Sequence, residues 1–198
     1  IVMSQHYGNV LPRSDLGLLF DPANPKCYPG SGSTIYDMSG HGNNGTISGS
    51  MVFTYPYMVF DGTDDQINVT ANQSSLNFRY EQTLIIWMYH TYTSGRKNPW
   101  DQAYGGYGTW THENGANISS YVGDSGSNTS PYIGGGSAST PTSTWQMMAT
   151  VRNTVDRRWY RNGSLSSTTA HSYGDLTETT ANIRIGNGYA GRWIGNMG

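Results

Sequence analysis

Charge is scarce in this chain. Only 12% of its 198 residues are Asp, Glu, Lys or Arg, about half of the ~25% usual in soluble domains. With 11 basic against 13 acidic residues, the net charge is −2, so no whole-molecule field draws in a polyanion. The basic residues gather late, at Arg152, Arg157, Arg158, Arg161, Arg184 and Arg192. They are too sparse to track a phosphate backbone, and no nucleic-acid motif accompanies them. Nucleic acid is therefore not an expected partner. Cysteine is nearly absent as well. Cys27 stands alone, so no internal disulfide can form, which fits a protein made in a reducing cytosol. No run of 18 apolar residues exists, and no membrane span or membrane partner is expected. Ile1-Val2-Met3-Ser4-Gln5-His6-Tyr7-Gly8 lacks the basic and apolar regions of a secretory leader. Helical periodicity is missing too.

Turn formers and aromatics take the place of charge. Gly accounts for 26 residues and aromatics for 13%, with 15 Tyr against 4 Phe. Such aromatic content argues against disorder. Tyr and Trp suit positions with one apolar and one wet end. Period-two alternation recurs along the chain. Short strands are expected at Leu16–Phe20, Tyr57–Phe60 and Gln66–Thr70, the last with Ile67 and Val69 inward. Thr83 to His90 is apolar on both faces, so a central strand covered on both sides, or one at a sheet-to-sheet contact, is expected. Tyr107–Thr111 and Ile118–Val122 read as a hairpin around Glu113-Asn114-Gly115. Thr144–Arg152 puts Trp145, Met147, Ala149 and Val151 on one face, and Gln146, Met148, Thr150 and Arg152 on the other. Val155–Arg161 returns across Asn153-Thr154, and Asn162-Gly163 turns the chain again. Ile183 and Ile185 mark a further inward face, and Ser74–Asn77 is a single helical turn. Residues 123–144 are low in complexity and read as a long loop with a short strand near Tyr132-Ile133. Many short strands with turns between them predict a β-sandwich or jelly roll in one domain.

Four segments carry a resemblance. Leu19 to Asn44 is a Pro- and Gly-rich run ending Tyr36-Asp37-Met38-Ser39-Gly40-His41-Gly42-Asn43-Asn44. Phe60 to Val69 reads F-D-G-T-D-D-Q-I-N-V. Trp145 to Gly163 ends in Tyr160-Arg161-Asn162-Gly163. Ile183 to Gly195 reads I-R-I-G-N-G-Y-A-G-R-W-I-G. Together they resemble the laminin-G-like, or concanavalin A-like lectin/glucanase, jelly-roll family, most closely its versions in structural proteins of tailed bacteriophages. The resemblance implies an all-β, antiparallel two-sheet jelly-roll sandwich spanning 1–198, with residues 1–13 as an N-terminal arm. It also implies that the family's last strand has no counterpart after Gly198. Since the family pairs its first strand with its last, Leu16–Phe20 is expected to lack a partner or to borrow one.

The residues narrow the chemistry. Glycoside hydrolysis normally needs two carboxyls about 5 to 9.5 Å apart, and the family's glucanases carry them as E-x-D-x-x-E. That motif is missing; Glu81, Glu113 and Glu178 are isolated. The histidines His6, His41, His90, His112 and His171 are scattered and there is no G-x-S-x-G. No catalytic residue is assigned, and the chain reads as a non-enzyme. No cofactor is required. Calcium is the one metal to consider, through Asp61, Asp64 and Asp65, with Asn68 and Asp101 as further oxygen donors; the competing reading is that these aspartates only cap their turn. For contact with a carbohydrate or a partner, the candidates are Trp100, Asp101, Tyr104, Tyr107, Trp110 and Trp159; Tyr160 and Trp193 are also available. Trp87 and Trp145 are assigned to the core.

These expectations add up to a structural or adhesive module without turnover. The resemblance implies a virion component, a capsid decoration protein or a fibre or appendage domain. Its partners would be other virion proteins, copies of itself in a homo-oligomer, or host-surface glycans. A carbohydrate-binding module of a larger secreted or surface bacterial protein is the alternative. A divergent glucanase using Glu113 is the third.

Overall fold

A computed structural model describes residues 15–70, 74–76, 78–102, 108–122, 133–171, 176 and 181–198. Fifteen strands follow in chain order: β1 (Thr34–Ile35), β2 (Gly45–Ser48), β3 (Val52–Thr54), β4 (Tyr57–Asp61), β5 (Gln66–Val69), β6 (Gln82–Tyr89), β7 (Arg96–Asp101) and β8 (Thr109–Glu113), then β9 (Asn117–Val122), β10 (Ile133–Ser139), β11 (Gln146–Arg152), β12 (Asp156–Arg161), β13 (Ser164–Ala170), β14 (Ile183–Ile185) and β15 (Ile194–Met197). A 3₁₀ turn at Ser74–Leu76 stands where one helical turn is expected.

Two antiparallel sheets result. One has eight strands in the order β1-β2-β5-β14-β7-β8-β9-β10, and the other has seven in the order β13-β12-β11-β6-β15-β4-β3. This is the jelly-roll sandwich that the alternating pattern predicts. The turns follow local chemistry. Asn114 and Gly115, at φ 50° and 68°, close β8 onto β9; Asn162 and Gly163, at 49° and 81°, close β12 onto β13. Asn and Gly tolerate two successive positive φ values, which hairpin twist requires.

The core lies between the inner faces. Ile35, Ile67, Val69, Trp100, Trp110, Ile118 and Ile183 come from the eight-stranded sheet, and Met58, Phe60, Met88, Met148 and Trp159 from the seven-stranded sheet. Trp110 and Trp159 meet across the sandwich with ring centroids 4.7 Å apart. Burying a large side chain of this kind stabilises by roughly 1.5–3 kcal/mol.

Three strand expectations change. Residues 133–139 of the low-complexity stretch form β10 against β9, because Gly and Ser do not prevent an edge strand when a partner ladder is offered. Leu16–Phe20 forms no ladder among the described residues. Its backbone is instead held by the loop, with Met38 N donating to Leu19 O at 2.9 Å and Leu19 N to Asp37 Oδ1 at 3.0 Å. Finally, β6 is central in its sheet but covered on one face only. An apolar cleft of about 660 Å³ opens between residues 15–20 and β6, lined by Leu18, Phe20, Leu84 and Ile86. There β15 pairs only with the far end of β6, at Tyr89 and Met88.

Candidate functional site

The site is built on an inversion in β11. Its alternating residues offer an apolar face and a mixed polar face, and the polar one turns inward. Gln146, Met148, Thr150 and Arg152 are buried. Gln146 and Arg152 each find backbone acceptors. Gln146 Nε2 donates to Pro141 O at 3.2 Å. The Arg152 guanidinium donates to the carbonyls of Phe78, Arg79 and Tyr80. On β12 the buried Arg157 donates to Ser120 O and Oγ at 3.2 and 2.9 Å. Arginine can enter a core when its planar fork is matched by fixed oxygens.

The consequence appears outside. Register places Met147 opposite Trp87, Ala149 opposite Ile85 and Val151 opposite Thr83. On the other side of β6, Asn196 of β15 lies between Tyr89 and Val59 of β4. Residues at these positions share the outer face of the seven-stranded sheet. Trp145 packs on Tyr57 at 5.2 Å and on Tyr89 at 5.8 Å between ring centroids. Trp87 is 48% exposed, Trp145 36% and Ile85 55%. Two tryptophans and two tyrosines thus lie on one outer face, with Asn196 in register with Tyr89 and Thr54 with Tyr57. Large apolar groups gathered in the open mark a binding site far more often than chance exposure does.

This reverses the expected assignment of the tryptophans. Trp100, Trp110 and Trp159 are all but fully buried, so none offers a ring face to a ligand. Asp101 is also fully buried; its carboxylate accepts from Thr109 Oγ1 at 2.8 Å and pairs with Arg184. Tyr104 and Tyr107 lie outside the described residues. Trp193 is buried. Trp87 and Trp145, expected in the core, are the exposed pair. The misreading has a physical cause: both faces of β6 are apolar, so alternation there cannot say which one is inner. The available signal was the pairing of two apolar faces, Thr83/Ile85/Trp87/Tyr89 and Trp145/Met147/Ala149/Val151, on strands that the fold makes neighbours.

The acidic candidates do come together. One carboxylate oxygen from each of Asp61, Asp64 and Asp65 lies within 4.8 Å of the others. Asp65 is buried, and burial followed by the charges of Asp61 and Asp64 pushes its carboxyl above the ordinary range, against an opposing hydrogen bond from the Asp61 amide. Asn68 and Asp101 stand elsewhere, in register on either side of Arg184. Of the glutamates, Glu113 is engaged by Arg96 at 3.0 Å in the eight-stranded sheet, while Glu81 precedes β6 in the other and Glu178 lies outside the described residues.

One more cluster is notable. His90 and His112 lie fully buried with ring centroids 4.2 Å apart, against Tyr92 and Trp193. His112 Nε2 shares a hydrogen bond with Thr140 Oγ1 at 2.6 Å. Burial, then the neighbouring His90, pushes the His112 pKa down to about 3.

With the geometry in place, kinship can be judged. The sequence pattern of the concanavalin A-like lectin/glucanases superfamily matches residues 61–197. The chain belongs to that superfamily. Comparison with the curated proteins returns no match. Among solved structures, the chain is similar to a type C botulinum neurotoxin whose uptake into cells is described as dependent upon two ganglioside molecules, with TM-score 0.68 and 11% identity over 85% of this chain and 44% of that one. It is similar to the serotype D neurotoxin binding domain, with TM-score 0.65 and 16% identity over 85% and 45%. It is also similar to the DC neurotoxin binding domain in complex with rat synaptotagmin II, with TM-score 0.64 and 11% identity over 85% and 44%. The chain spans less than half the length of these structures. At such identities the likeness concerns the sandwich fold. One fold of this superfamily hosts both binding proteins and enzymes, so the reading of function rests on the site.

Proposed function

We propose that this chain is a non-catalytic binding module that recognises cell-surface glycans through the outer face of its seven-stranded sheet. The observation that carries the reading is the exposed aromatic surface of Trp145, Tyr57, Tyr89 and Trp87. Flat rings stack on the apolar face of a pyranose, and the neighbouring Asn196 and Thr54 supply groups for the hydroxyls. Membership of a lectin-containing superfamily supports this, as does the likeness to toxins described with gangliosides, with a sialylated glycan or in complex with rat synaptotagmin II. The setting we propose is a virion, as a capsid decoration or a fibre or appendage domain; the surface of a bacterium is the alternative.

The test is a glycan array probed with the wild-type chain and with Trp145→Ala and Trp87→Ala. Saturable binding to a defined glycan class, reduced about tenfold or more by either substitution, supports the proposal. No glycan bound, or binding that both substitutions leave unchanged, overturns it. A second reading is favoured by the aliphatic part of the same face. Ile85, Val52 and Leu165 are more than half exposed, and aliphatic side chains suit a neighbouring subunit better than a sugar. Concentration-dependent oligomerisation abolished by Ile85→Asp would support that reading.

A further inference from the structure

The apolar cleft beside β6 is walled by backbone as well as by side chains. Along an extended chain, successive residues turn their N–H and C=O groups to opposite sides. The bonds already made show which side each residue faces. Gly198 N donates to Trp87 O at 3.2 Å. Trp87, and with it Ile85 and Thr83, therefore turns its backbone away from β11. On that side β15 reaches only Tyr89 and Met88. Among the described residues nothing pairs there with Ile85 or Thr83.

The opposite wall repeats the pattern. Gly17 O accepts Asn43 Nδ2 at 2.7 Å, Leu19 O accepts the Met38 amide at 2.9 Å, and Leu19 N donates to Asp37 Oδ1 at 3.0 Å. Gly17 and Leu19 thus face the loop of Asp37 and Asn43, while Leu16, Leu18 and Phe20 turn their backbone groups toward the cleft. No described residue pairs with those groups. The space of about 660 Å³ between the two rows is lined also by the core residues Ile35, Met58, Phe60 and Ile67. Backbone N–H and C=O groups are obligatory hydrogen-bonding groups, and an open strand edge is a template for an added strand. An apolar small molecule would cover the core residues and leave both rows unpaired; a β-strand satisfies all of them.

We propose that the cleft receives an extended segment of a partner protein, lying between Leu16–Phe20 and the Gln82–Ile86 part of β6. The segment runs in line with β15 and so antiparallel to β6, as both established neighbours of β6 do. Its chemistry follows from its place. Side chains opposite Ile86, Leu84 and Gln82 share their inward face, meet the core residues of the cleft and must be apolar. Those opposite Ile85 and Thr83 share the exposed face and can be polar. Its last residues come beside Glu81 and Asp15, two exposed acids that line the cleft, so a Lys or Arg belongs there. The partner segment is thus alternately apolar and polar, with a basic end. This contact is separate from the glycan reading and does not rest on it.

The experiment uses the full 198-residue chain and the acetylated, amidated peptide Val-Thr-Val-Thr-Val-Lys. The peptide is titrated in by two-dimensional NMR, and amide exchange is read at Ile85, Thr83 and Leu18. Saturable one-to-one binding is expected, with exchange at those amides slowed about tenfold or more. Ile85→Pro removes an N–H that β11 does not use and should weaken binding about tenfold. Glu81→Lys, at an exposed position, should weaken it about threefold, and a peptide ending in Glu should recover the loss. Absence of binding at millimolar peptide overturns the proposal, as does binding that leaves the amides unprotected. A Glu81→Lys chain that takes both peptides equally overturns the direction assigned to the segment. Protection of Ile85 that rises with protein concentration, with no peptide present, overturns the partner in favour of a second copy of this chain.

Discussion

The two faces of β11, in the seven-stranded sheet, divide their residues against the usual rule. The inner face of β11 buries an arginine, a glutamine and a threonine, while its outer face carries Trp145, Met147 and Val151. The eight-stranded sheet behaves in the ordinary way, with Ile67, Val69 and Ile183 inside. A strand that turns apolar groups outward beside those of its neighbour leaves a surface available for something other than the core. Tryptophan in this chain therefore does two jobs: Trp110 and Trp159 join the sheets, and Trp87 and Trp145 face outward.

The sharpest way to break this comparison is to truncate one tryptophan from each set. Trp159→Ala should cost about 3–5 kcal/mol in urea unfolding, because it opens a cavity beside Trp110. Equal losses for Trp159→Ala and Trp145→Ala would erase the distinction between the faces. Next in size is the inward arginine. Arg152→Met leaves three carbonyls without their donor and should cost on the order of 3 kcal/mol. A neutral result would mean that β11 could bury an apolar inner face equally well.

The buried histidines give a pH test of the same core. A histidine whose pKa is lower folded than unfolded weakens the fold as pH drops, since the unfolded chain takes up the proton first. For His112 the loss begins near pH 6.5, the unfolded value, and grows until about pH 3, its folded value. Between pH 7 and pH 5 the expected loss is about 2 kcal/mol. In His112→Gln that slope should largely flatten; an unchanged slope would assign it elsewhere. The smallest effect belongs to the outer face. Trp145→Ala and Trp87→Ala should each cost less than about 1 kcal/mol of stability, which is what allows them to report on ligand binding alone.

Much of the architecture was legible in the chain. Alternation located the strands β4, β5, β6, β11 and β12, and Asn114-Gly115 and Asn162-Gly163 located two hairpin turns, because both signals are local. The aspartates of the β4–β5 turn were legible as a cluster for the same reason, lying within five residues of one another. The aromatic face was not. Trp145 and Trp87 are far apart in sequence and share one face only because β11 pairs with β6. Trp100 looked available beside Pro99 and Asp101, yet it is buried because β7 lies between β14 and β8, opposite Trp110.

The sequence by itself determined that this protein is a β-sandwich, where most strands turn, and that no paired-glutamate motif for hydrolysis is present. Period and turn chemistry reside in neighbouring residues and need no partner to be read. Only the tertiary structure decided which faces of β6 and β11 are inside. For β6 and β11 both faces could serve. The choice fell on the face whose polar groups find fixed partners, the Arg152 guanidinium against three carbonyls and Gln146 against Pro141. A buried polar group is tolerated only where such partners already stand, and no single strand carries that information.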